Sequence, residues 1–169
     1  ATFLAQNSGK RSITINLKSP EGVAVFKRLV KTADVVVENF RPGVMNRLGV
    51  GYEVLKDLNP DLVFCAISGF GQEGPLKSRP AYDQIIQGMS GTMSITGNAE
   101  SAPLRVGFPI ADTIGGMTAA FAISAALAKQ DGKRGTFIDV SMLESVMSTM
   151  GFAISNYFNA NQQPQPMGN

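Results

Sequence analysis

The chain is 169 residues long, 44% apolar and only 17% charged, with a formal net charge of +2. That length carries one domain with a sizeable core, and because lysine and arginine are scattered rather than clustered, the sequence carries no nucleic-acid footprint. Histidine is absent and cysteine occurs once, as Cys65, which excludes histidine acid–base chemistry, Ser-His-Asp triads, most zinc sites and any disulfide within the chain. The lone cysteine lies in the apolar run DLVFCAI and fits a reducing, cytoplasmic setting. The opening ATFLAQNSGKRS lacks the basic-then-apolar order of a signal peptide. The first residue is not methionine and the last stretch, NANQQPQPMGN, is polar; together they read as a piece of a longer polypeptide.

In chain order, RSITINL (11–17) alternates β-branched and polar residues and predicts a strand. SPEGVAVFKRLVKTA follows with Ser19 as N-cap, Pro20 as first helical residue and Glu21 in the first turn. Val23, Phe26, Leu29 and Val30 share one face of that helix. DVVVEN (34–39) and LVFCAIS (62–68) read as strands buried on both faces, separated by two short helices in RPGVMNRLG and YEVLKDLN. The resulting βαβαβ order predicts an α/β fold: a Rossmann-like parallel sheet with flanking helices.

From residue 69 the character changes. GFGQEGPLKSRPAYD is a Gly/Pro-rich loop, and QIIQGMSGTMSITG reads as a helix and turn. Residues 112–129 form a helix whose segment 113–128 has no charge at all. It is too short for a bilayer and contains Gly, Ser and Thr, so a buried helix is expected and no membrane partner. DGKRG predicts a turn, TFIDVS a strand and MLESVMSTMGFAISNYF a single Met-rich helix.

One carboxylate, Asp112, stands at the mouth of that uncharged run. As a helix N-cap its oxygen accepts a backbone N–H of the next turn. A carboxylate held ionised by a helix N-terminus is also a nucleophile toward an activated acyl group, and the two roles are compatible. Gly115 and Gly116 give a bulky ligand close access to the backbone. Upstream, SGFGQEGP spaces Gly69, Gly71 and Gly74 as G-x-G-x-x-G but runs on into the Pro-containing loop PLKSRP rather than into a helix, so it reads as a generic Gly-rich loop and not as a dinucleotide fingerprint. ENFRPG follows a strand directly, which places Asn39 and Arg41 where ligands of open α/β sheets bind. Arg47 stands within reach of a phosphate, and RPAYD gathers Arg79, Tyr82 and Asp83, with Asp83 a further candidate cap.

NSGKRSITINLKSPEG, ADVVVENFRPG, NPDLVFCAISGFGQEGP, RPAYDQIIQGMSGTMSITG, ADTIGGM and GTFIDVSMLESVM occur in this order over nearly the whole chain. This set resembles the class III CoA-transferases, the formyl-CoA transferase and carnitine CoA-transferase-like family. The resemblance implies that residues 1–169 are part of a large CoA-binding Rossmann-like domain, a partial domain of an interlocked-dimer fold, with the opening strand and the C-terminal half lying elsewhere. It implies an acyl-CoA donor, a carboxylic acid acceptor, an interlocked homodimer and no metal. Asp112 takes the position of the catalytic aspartate, which passes CoA through an aspartyl anhydride and an aspartyl-CoA thioester. Ile15, Lys18, Asn39, Phe40 and Arg47 match CoA-contacting positions. In RPAYD the family's basic residue is replaced by Pro80, with Arg79 adjoining it as the CoA contact, and Tyr82 and Asp83 match positions lining the active site. The related 2-methylacyl-CoA racemases are the alternative; they carry a histidine where this chain has Tyr82, and this chain has no histidine to act as base. A third reading is a fragment inactive by itself, because part of its sheet is missing.

Overall fold

The β-branched runs at 34–39 and 62–68 do form strands, and they set the frame of the molecule. The computed structural model describes residues 2–129 and 135–168. β1 (Val35–Glu38), β2 (Val63–Ser68) and β3 (Thr136–Ser141) make one parallel sheet in the order β1-β2-β3. Val35 pairs with Val63, and Val63 with Thr136, so all three strands start level; β2 and β3 end together at Ser68 and Ser141, while β1 ends at Glu38 opposite Ala66. The helices are α1 (Thr2–Asn7), α2 (Pro20–Val30), α3 (Val44–Arg47), α4 (Tyr52–Leu58), α5 (Asp83–Met89), α6 (Thr92–Ile95), α7 (Ile110–Leu127), α8 (Met142–Thr149) and α9 (Gly151–Ala160).

β2 is central and buried on both faces. Its Phe64 and Ala66 point into a core with Val30 of α2, Met45 of α3 and Leu55 of α4. Phe64 stacks on Phe137 in that layer and Tyr52 packs tilted against both, with ring centroids 5.3–5.9 Å apart. On the opposite face Cys65 packs with Ala119 of α7 and Val140 of β3. Burial pushes the Cys65 thiol up to about 11, which leaves it inert at neutral pH. Beyond the strand ends, Ile86, Ala111, Met142, Val146 and Met150 build a further cluster that joins α5, α7 and α8.

Several expectations are corrected. Residues 11–16 are not helical and pair with no described strand, so the first expected strand is absent from the sheet. Alternation favours extended backbone, but only a neighbouring strand turns it into a ladder. Ser19 does cap α2, accepting from Gly22 N at 3.1 Å; Leu29, placed on the buried face by spacing, is exposed. β1 is not buried on both faces: Val37 is 54% exposed because α7 covers β2 and β3 instead. The Met-rich helix is two helices, α8 and α9, with a break at Met150 just before Gly151, since glycine weakens a helix interior. The DGKRG turn lies outside the described residues, apart from Gly135.

The uncharged helix is buried along one stripe only. Ala111, Gly115, Ala119 and Ala126 face the core, while Met117 is 68% and Phe121 is 78% exposed. By length and composition alone α7 is apolar enough to cross a membrane. Its small-residue stripe instead lies on β2, β3 and α8.

Candidate active site

The carboxyl ends of parallel strands point their last residues toward the same side, and ligands of open α/β sheets bind there. Here that side holds an open cleft of about 330 Å³. Asn39, Phe40, Arg41 and Pro42 enter it from the end of β1, and Ser68 and Gly69 from the end of β2. The loop after β2 contributes Lys77 and Arg79 to Asp83, α7 contributes Asp112, and α8 contributes Met142.

Local hydrogen bonds fix the walls. The Asn39 side-chain amide donates to Ile67 O at 2.8 Å, tying the end of β1 to β2. Phe40 N donates to Glu38 Oε2 at 2.6 Å, which closes the turn out of β1. Glu38 is buried, and burial raises its carboxyl above the ordinary value, partly offset by that N–H. Gly69 has no room for a side chain, since a Cβ there runs into the Ala81 Cβ. The Gly-rich loop is pinned by protein rather than shaped as a phosphate cradle: Gln72 N donates to Asp139 Oδ2 at 2.8 Å.

Asp112 is not the N-cap of its helix. α7 begins at Ile110 behind Pro109, and Asp112 is its third residue, exposed at the cleft. The cap comes from another element. Asp83 Oδ1 accepts from Ala111 N at 2.7 Å and from Asp112 N at 3.3 Å. Proline at 109 brings no side-chain acceptor, so the free N–H groups of the first turn take one from α5. Gln87 completes the network: Nε2 donates to Asp83 Oδ2 at 2.5 Å, and Oε1 accepts from Val106 N at 2.8 Å. The expectation that the helix end holds Asp112 ionised is also revised. Partial burial raises the Asp112 carboxyl above its ordinary value, and the nearby Asp83 charge raises it further. The two glycines part company as well. A Cβ on Gly115 comes within 3.1 Å of Met142 Cγ, so Gly115 serves packing, whereas Gly116 faces open space.

Of the residues singled out from sequence, Asn39, Phe40, Arg41, Arg79, Tyr82, Asp83 and Asp112 line this one cleft. Tyr82 is 71% exposed and Asp83 is 9% exposed. Ile15, Lys18 and Arg47 do not line it. Ile15 is half-buried in the extended segment and Lys18 is exposed before α2. Arg47 is exposed at the end of α3 and lies against Gly43. Lys77, Ser68 and Met142 escaped sequence reasoning. The strand-end rule points to Ser68, and Lys77 stands two residues before Arg79, whereas nothing local marks Met142. Among the described residues no carboxylate forms an ion pair with Arg41, Lys77 or Arg79, so three cations are available to an anionic ligand. Among the described residues no group of three His, Cys, Asp or Glu side chains could hold a metal ion.

The model of CoA-transferase family III matches residues 1–169. The chain belongs to CoA-transferase family III. Among its family III relatives, succinate–glutarate CoA-transferase of Agrobacterium fabrum is 44% identical over 171 residues, spanning 100% of this chain and 42% of that protein. Acetyl-CoA:oxalate CoA-transferase of Acetobacter aceti is 44% identical over 169 residues, covering 99% of this chain and 43% of the relative. In structure, a CAIB/BAIF family protein from Brucella suis superposes with a TM-score of 0.92 at 40% identity, covering 96% of this chain and 43% of that one. The family III chain described here thus spans well under half the length of these relatives.

Proposed function

We propose that the protein is an acyl-CoA:carboxylate CoA-transferase with Asp112 as its nucleophile. The observation that carries this reading is the cleft itself: an exposed carboxylate at the strand ends beside three unpaired cations, in a chain of CoA-transferase family III. The Asp112 carboxylate attacks the thioester carbonyl of the donor acyl-CoA, forms a mixed anhydride and releases CoA thiolate. The thiolate then attacks the aspartyl carbonyl, giving an aspartyl-CoA thioester and the free donor acid. The acceptor carboxylate attacks that thioester and again expels the thiolate, which takes the new acyl group and regenerates Asp112. The raised Asp112 carboxyl supports the role, because a more basic carboxylate is a better nucleophile.

CoA enters as substrate, and its phosphates find complementary charge in Arg41, Lys77 and Arg79. Lys18 and Arg47, exposed outside the cleft, extend that charge for the nucleotide end. Tyr82 faces the acyl group. Met117 and Phe121 leave an apolar surface on α7; it supports an assembled form, the interlocked homodimer, in which further polypeptide covers them. The protein works in the cytoplasm, where a lone buried thiol stays reduced.

The test is to incubate the full-length protein with acyl-CoA and hydroxylamine and to read Asp112 by mass spectrometry. Asp112 converts to the hydroxamate, and Asp112→Ala loses transfer by at least about 10³-fold. Full activity in Asp112→Ala refutes the assignment. A chiral 2-methylacyl-CoA in deuterated water gains no label at its α carbon; uptake of label instead supports the racemase.

A further inference from the structure

We propose that Asp83 is a positioning residue for Asp112 and not a substrate ligand: with Gln87 it clamps the first turn of α7 and so fixes where the Asp112 carboxylate stands. This inference rests on the assignment of Asp112 as nucleophile.

Both oxygens of Asp83 are already engaged. Oδ1 takes the Ala111 and Asp112 N–H groups, and Oδ2 takes the Gln87 amide. Asp83 is buried, and Gln87 is buried completely. The orientation of the Gln87 amide is determined by its partners, since Oε1 must meet the Val106 N–H and Nε2 must therefore meet the Asp83 carboxylate. The chain is thus held on both sides of Pro109, at Val106 before it and at Ala111 and Asp112 after it. A substrate carboxylate gains nothing from a buried anion whose acceptors are taken. The reacting carboxylate, in contrast, gains a fixed origin, and a misplacement of about 1 Å at a reacting centre costs on the order of 10²-fold in rate.

The polarity of the clamp supplies its test in the full-length protein. Asp83→Asn keeps an oxygen for the α7 N–H groups but turns an NH₂ toward the Gln87 NH₂. The double variant Asp83→Asn/Gln87→Glu pairs every donor with an acceptor again. In it the amide introduced at position 83 donates to the carboxylate introduced at position 87, and that carboxylate still accepts from Val106 N. The single variant is expected to lose roughly 10²-fold in kcat, with KM for acyl-CoA and for the acceptor acid within about twofold of wild type. The double variant recovers at least about tenfold of that loss. A raised KM for the acceptor acid at unchanged kcat assigns Asp83 to the substrate and overturns the proposal, as does a double variant no better than the single. Should Asp83→Asn fail to fold, Gln87→Met removes the outer half of the clamp with similar volume. A kcat loss at constant KM supports the proposal there, and wild-type kcat overturns it. Retained activity in Asp112→Ala defeats the nucleophile assignment itself; loss in Asp112→Ala with wild-type kinetics in Asp83→Asn defeats the clamp alone.

Discussion

At the scale of single residues, two carboxylates near each other have been given different surroundings. Asp83 is buried and surrounded by donors; Asp112 is exposed, partly desolvated and close to the Asp83 charge. The folded state therefore binds a proton on Asp112 more tightly than the unfolded chain does. Between the ordinary carboxylate pKa and the raised folded one, stability falls as pH rises, and above both values the ionised Asp112 is a standing cost. Asp112→Asn is expected to raise Tm at neutral pH by roughly 1–2 °C, a modest figure because the side chain reaches solvent. The gain disappears in acid, below the unfolded pKa, where the wild-type side chain is protonated as well. Thermal melts of the two proteins across pH measure it. Such a trade of stability for a reactive group is common at catalytic centres.

At the scale of elements, the adjacent glycines of α7 give opposite expectations. A side chain at Gly115 meets Met142 of α8 at close range, while Gly116 has free space. Gly115→Val is therefore expected to cost about 1–3 kcal/mol through overpacking. Gly116→Ala is expected to stabilise by about 0.5–1 kcal/mol through lower backbone entropy in the unfolded chain. Urea midpoints at constant m-value separate the two outcomes. The same pair shows what was legible before the structure. Composition marked α7 and its carboxylate, and β-branched runs marked all three strands, because such side chains suit the pleated backbone of a sheet; only β2 is buried on both faces. The difference between the two glycines was not legible, since Gly115 meets Met142 of α8, about 27 positions away and brought close only by packing, and Gly116 meets nothing. The true cap of α7 stayed hidden for the same reason: N-cap preferences look one turn away, and Asp83 reaches across 28 positions. The alternating segment at 11–17 misled in the other direction, since a strand needs a neighbour that local pattern does not supply.

At the scale of the whole molecule, a net charge of only +2 conceals a local concentration of cations. Arg41 comes from the end of β1, and Lys77 and Arg79 from the loop after β2. Exposed charges attract an anion strongly only within a Debye length, about 10 Å at 0.1 M salt. KM for acyl-CoA is expected to rise several-fold between about 0.05 and about 0.5 M salt. The triple variant Arg41→Gln/Lys77→Gln/Arg79→Gln is expected to start from a high KM and to respond weakly to salt. Steady-state kinetics at several salt concentrations distinguish this from a uniform loss; an unchanged salt slope in the triple variant places the phosphates elsewhere.

The two anchor points around Pro109 also mark where a sequence change reaches the cleft and where it does not. Gln87 holds Val106 and Asp83 holds Ala111 and Asp112, so the Asp112 carboxylate takes its position from α5 and not from the chain that leads into it. Residues 91–105, between the anchors, line no part of the cleft and pack instead through Ile95 against the cluster that joins α5, α7 and α8. A change in that stretch is therefore felt first in the packing around Ile95, and the place of the Asp112 carboxylate moves only when α5 itself shifts.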